Sequence, residues 1–143
     1  MSYRYLEDFA TADIAFEARA EDLNGLFLSA ADATMNVMIE NLDSIRPVTL
    51  RTVRIENTAI DMLLFDLLQE LIYYKDAEQL LLRARSVDIR EEQGAFFLTA
   101  VTEGEKLNPE RHQQRADVKA VTLHQFVVQK VDGGWRSLVI LDV

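Results

Sequence analysis

The sequence predicts an α+β fold, with two helices packed on antiparallel sheets of about seven strands. Two stretches repeat their apolar residues at spacings of three and four, and about seven others alternate apolar with polar residues. The helical stretches stand apart from the strand runs, which argues against a parallel sheet built from βαβ units. A chain of 143 residues is expected to form one domain, residues 1–143, hiding about two-thirds of its extended surface.

Tyr3 to Phe9 and Ile14 to Ala20 read as short strands; in the second, Ile14, Phe16 and Ala18 alternate with Ala15, Glu17 and Arg19. Asp22 then caps a helix, along which Leu23, Leu26, Phe27, Ala30, Thr34, Val37, Met38 and Asn41 draw one largely apolar stripe. Met35 and Met38 read as core filler. Val48 to Glu56 alternates again, with a slip of apolar phase between Leu50 and Val53 that predicts a bulge or a change of face. Thr58 and Asp61 resemble a capping box for a second helix, whose apolar face is Ile60, Leu63, Leu64, Leu67, Leu68, Leu71 and Ile72. Leu80 to Arg90 and Ala95 to Glu103 predict a hairpin turned at Glu91 to Gly94. Glu105 to Asp117 is polar, contains Pro109 and reads as a loop. Val118 to Val131 and Trp135 to Val143 predict a second hairpin around Asp132-Gly133-Gly134.

Composition narrows the function. The chain has no cysteine, which removes disulfides, thiolate metal sites and Cys nucleophiles and fits a reducing compartment. No stretch approaches the roughly 20 apolar residues of a membrane span, and the N-terminus lacks an apolar signal region. A cytoplasmic location is expected. The net charge of −9 argues against direct nucleic-acid binding and fits docking on a basic protein surface. Arg46, Arg51, Arg54, Arg83 and Arg85 read as solvated strand faces.

No nucleophile elbow, phosphate-binding glycine loop or His-Glu-x-x-His helix is present, and two histidines cannot form a multi-histidine metal site. A catalytic role is not expected. Asp142 lies one position before the carboxylate of Val143; this is either a hydrated strand end or a site for a hard cation such as Ca²⁺ or Mg²⁺. Counting outward from the Asp132–Gly134 turn places His124 opposite Asp142, where a carboxylate would favour imidazolium. A satisfied structural histidine is the plainer reading. His112, in the polar loop, reads as an ordinary surface residue, and Lys119 as a solvated lysine at a strand start.

Six segments in order resemble the archease family: Phe9-Ala10-Thr11-Ala12-Asp13-Ile14, Leu23-Asn24-Gly25-Leu26-Phe27 with Met35-Asn36-Val37-Met38, Leu63 to Leu71, Leu107-Asn108-Pro109-Glu110-Arg111-His112, Lys119-Ala120-Val121-Thr122-Leu123-His124, and the ending Leu141-Asp142-Val143. The resemblance implies an α+β cofactor protein that activates an RtcB-type RNA ligase of tRNA splicing and RNA repair, promoting its guanylylation and repeated turnover. It also implies a divalent-cation site, Ca²⁺ foremost with Mg²⁺ or Mn²⁺ as alternatives, at Asp13, Asp142 and Val143. Lys119 falls on the family's functional lysine, and His124 would support the site from beside it. Ala10 and Leu123 stand where the family carries His and Tyr. A chaperone-like or general protein-binding module with a structural metal is the alternative.

Overall fold

The computed structural model describes residues 1–7 and 13–143. The predicted Tyr3–Phe9 strand is observed as β1, Ser2–Leu6; Phe9 to Ala12 of the family-like signature lie outside the described residues. There follow β2 (Asp13–Ala20), α1 (Leu23–Met38), β3 (Thr49–Asn57), α2 (Ile60–Glu78), β4 (Leu80–Glu92), β5 (Ala95–Lys106), β6 (Ala120–Val131) and β7 (Gly134–Asp142). The strands form two antiparallel sheets, ordered β1-β2-β7-β6 and β3-β5-β4. The two helices touch each other, and each touches both sheets.

Asp22 starts α1 as predicted: its Oδ1 accepts the Gly25 N–H at 2.7 Å, satisfying one of the helix's free first-turn donors. The apolar stripe, however, understates how this helix is buried. Ser29, Ala31, Ala33 and Met35 are enclosed as fully as Leu26, Phe27 and Ala30, because β1, β2 and β7 pack on one side and β4 on another. Asn41 lies past the end of α1, in the turn that leads to β3.

Residues Leu63, Leu64, Leu67, Leu68, Leu71 and Ile72 of α2 are all buried, matching the predicted face. Its start differs from the predicted capping box. Ala59 precedes the helix without a side-chain cap, and Asn57 Oδ1 instead accepts the Ala59 N–H at 3.1 Å. The predicted irregularity in β3 is also absent, since its register with β5 runs unbroken from Thr49 to Asn57. Leu50 breaks the apolar phase because it points to solvent, 58% exposed on the face opposite Val53.

The β4–β5 hairpin turns more tightly than predicted. Glu92 pairs with Ala95, leaving Gln93 and Gly94 as a two-residue turn with both φ angles positive, the type that matches strand twist. At the far end of this hairpin, Gly104 passes so close to β4 that an added Cβ would lie 1.6 Å from the Leu81 carbonyl oxygen.

The segment from Leu107 to Lys119 crosses from one sheet to the other and is fastened at three points. First, Glu105 is buried and accepts hydrogen bonds from both terminal nitrogens of Arg111, at 2.6 and 2.7 Å, and from the Arg46 N–H at 2.7 Å. His112 is no surface residue: it is 1% exposed. Its Nδ1 accepts the Asn108 N–H at 2.9 Å, so its proton sits on Nε2, which donates to Glu105 Oε2 at 2.9 Å. Second, Arg115 and Ala116 N–H donate to the Met38 and Val37 carbonyls, satisfying acceptors at the C-terminus of α1. Third, the Lys75 ammonium binds Asp117 and donates to the Val118 carbonyl at 3.0 Å.

Leu67→Ala should lower stability by about 2–5 kcal/mol in denaturant melts, as a buried large-to-small change. Gly104→Ala should cost about 3 kcal/mol or more, because the backbone at Leu81 must move. The Arg111 guanidinium holds the Glu105 carboxyl at about 2, well below its ordinary 4.5. A carboxyl depressed on folding stabilises fully above pH 5, and that contribution is lost as pH falls through 4.5 toward 2. In Glu105→Gln, the slope of stability against pH in that window should be shallower by up to about 1.4 kcal/mol per pH unit. Parallel wild-type and variant curves would refute this linkage.

Candidate metal and partner site

The pairing of β2 with β7 brings Asp13 directly opposite Asp142. The phase of each strand fixes the face. Phe16, Ala18, Val139 and Leu141 enter the core, so Asp13 and Asp142 stand on the face turned away from the helices. Directly opposed residues hold their Cβ atoms about 4.5–5.5 Å apart, and two like charges there destabilise the pair unless something cationic intervenes. Both aspartates are half-buried.

These residues suit a hard cation. The donors are carboxylate oxygens, the ligands Ca²⁺ and Mg²⁺ prefer, and their spacing lets one ion serve both. Among the described residues no third His, Cys, Asp or Glu joins them. Further oxygens for such an ion must therefore come from Val143, the main chain or water. The Val143 side chain packs against the core, which holds that end of the strand in place. Ala120 completes the row across β6 as the partner of Asp142.

Lys119 stands immediately before this row. Its N–H donates to the Asp142 carbonyl at 2.8 Å, while its side chain is exposed. The stem beneath it is fixed, since Val118 is fully buried with its carbonyl bound by Lys75. Beyond it, the Val121 N–H donates to Gln69 Oε1 of α2 at 2.9 Å. The backbone at Lys119 is fixed beside the row while its side chain reaches into solvent at this end of the sheet. Asp13, Asp142, Val143 and Lys119 thus share one end of one sheet.

His124 does not join them. Near the turn the register matches the sequence count, with Val131 opposite Gly134 and Val127 opposite Leu138. Between Thr122 and Val127 the strand then bulges, with Gln125 at φ 55°, and Asp142 faces Ala120 in place of His124. His124 is exposed within the bulge. Extra unpaired residues shift every later pairing, so counting from a turn fails beyond a bulge.

The model of the Archease protein family (MTH1598/TM1083) matches residues 3–143. The chain is 37% identical over 142 residues to the protein archease of Methanosarcina mazei, covering 99% of this chain and 95% of the relative. It is 32% identical over 134 residues to that of Pyrococcus abyssi, covering 93% and 94%. The solution structure of Methanobacterium thermoautotrophicum protein 1598 superposes with a TM-score of 0.85 at 32% identity, over 99% of this chain and 98% of that one. The crystal structure of a Thermotoga maritima archease, described as a possible chaperone, shares the fold with a TM-score of 0.57 at 17% identity, over 94% and 93%. With nearly its whole length matched in sequence and in structure, the chain belongs to the archease family.

Proposed function

We propose that this protein is an accessory factor of an RtcB-type RNA ligase, which promotes the ligase's guanylylation and repeated turnover without catalysing a reaction of its own. The observation that supports this most is the cross-strand pair Asp13–Asp142 with Lys119 beside it. In this reading Asp13, Asp142 and the Val143 carboxylate hold one divalent cation, Ca²⁺ foremost. The ion neutralises the opposed carboxylates and stiffens the strand end that meets the ligase. Lys119 extends toward the partner, where its ammonium can meet a carboxylate or nucleotide phosphates. The net charge of −9 favours approach to a basic partner surface.

A general protein-binding role has one feature in its favour. Phe65 and Tyr73 line an open groove along α2 together with the carboxylates of Asp66 and Glu70. The deciding experiment is guanylylation of the organism's own folded RtcB-type ligase with and without this protein. Stimulation supports the accessory role; its absence transfers the assignment to the protein-binding module.

Ca²⁺ at a hundredfold its dissociation constant should stabilise the wild type by about 2.7 kcal/mol, a rise in Tm of roughly 5–10 °C. Asp142→Asn should lose most of that rise, and equal shifts in the two proteins would remove the site. Lys119→Ala should leave Tm and the Ca²⁺ response unchanged while cutting multiple-turnover ligation about tenfold or more. Lys119→Arg should retain partial stimulation if charge dominates over donor geometry.

A further inference from the structure

At the other end of the same sheet face, a single buried carboxylate gathers three arginines. Glu17 is 7% exposed. Arg136 Nε donates to its Oε2 at 2.6 Å, and the Nε atoms of Arg19 and Arg4 donate to its Oε1 at 3.1 and 3.4 Å. The Arg136 guanidinium, seconded by Arg19 and against the effect of burial, holds the Glu17 carboxyl at about 2. One carboxylate and three guanidiniums leave a local charge of +2 on a protein whose total is −9.

The arrangement exceeds what Glu17 requires. Arg136 alone makes the short bond, and Arg19 is the direct cross-strand partner of Arg136, an unfavourable juxtaposition of like charges. Glu17 engages each guanidinium through Nε. Arg136 spends Nη1 on Gln129 Oε1 at 2.9 Å. Among the described residues, the terminal nitrogens of Arg4 and Arg19 have no hydrogen-bond partner, and their side chains are 71% and 53% exposed. Paired terminal N–H groups on a planar guanidinium fit two oxygens of one phosphate.

We propose that Arg4, Arg19 and Arg136, held by Glu17, form a binding site for a phosphoryl group. Glu17 acts as a positioning residue: it fixes the Nε side of each fork and leaves the outer donors to the ligand. The site takes one or two phosphates, from a free phosphate compound or from the end or backbone of a single RNA strand. The overall acidity limits it to that local contact and opposes binding of a long tract. It does not depend on the ligase role or on a metal at Asp13 and Asp142.

Two probes test it: inorganic phosphate and a fluorescein-labelled twelve-nucleotide oligouridylate followed by anisotropy. Three arginine contacts predict a log–log salt slope of about −2 for the oligonucleotide. Arg4→Gln with Arg19→Gln should weaken binding at least tenfold and flatten the slope by about 1.4, while Arg51→Gln with Arg54→Gln, which removes equal charge from β3, should not. Arg4→Gln alone should show the same direction at about threefold, which covers misfolding of the double variant. Displacement of RNA by millimolar phosphate would identify a small phosphoryl ligand, and RNA binding that survives phosphate would identify the polymer. Absence of binding to either probe up to about 1 mM, or equal weakening by the β3 control pair, overturns the proposal.

Discussion

Helix α1 must be covered on nearly every side, and the rest of the molecule is arranged to do it. Ten of its sixteen residues are buried, and neither its first turn nor its last carries a charged residue suited to the helix dipole. Ala30, Ala31 and Ala33 let neighbouring backbones approach, while Leu26, Phe27 and Met35 fill the space between layers. One sheet cannot enclose such a helix. The second sheet meets it through β4, and the 107–119 segment closes its C-terminus by hydrogen-bonding the Val37 and Met38 carbonyls. Covering α1 therefore dictates the path of the chain toward Lys119, and the Glu105–Arg111–His112 cluster anchors the start of that path.

The β2–β7 ladder sets the charged residues of this sheet face against one another. On one face it opposes Asp13 to Asp142 at one end and Arg19 to Arg136 at the other. Six steps along the strand separate the two pairs, about 20 Å. Between them lie Ala15 and Ile140, both buried yet outside the core beneath the sheet. Like charges set against each other at both ends of one ladder oppose stability locally, and the divalent cation proposed above would relieve the aspartate pair. Glu17 supplies part of the relief at the arginine end.

Much of this was legible in the residues, and the failures have definite causes. The leucines of α2 and the Asp22 cap depend on local periodicity and local hydrogen bonding, which a sequence displays directly. Leu50 misled because an exposed apolar residue mimics a bulge in a pattern that assumes every apolar side chain points inward. The true irregularities, after Ala84 and between Thr122 and Val127, leave no periodic trace. His112 looked like a surface residue because its partner Glu105 belongs to a strand that also looked like loop. The proximity of Asp13 to Asp142 came from resemblance alone, for nothing local links residues at opposite ends of a chain. Glu17 between Arg19 and the more distant Arg4 and Arg136 was hidden for the same reason.

The bulge that displaced His124 also bears on what the protein avoids. Strand β6 borders its sheet, and a long flat border offers unpaired N–H and C=O groups to any passing extended chain. Here Gln69 occupies the Val121 N–H, and the left-handed kink at Gln125 breaks the hydrogen-bonding row halfway along. Leu123, 60% exposed in that kink, would otherwise add an apolar side chain to a continuous template. The irregularity thus leaves a second copy, or a misfolded chain, too short a straight run along β6 on which to grow a shared sheet.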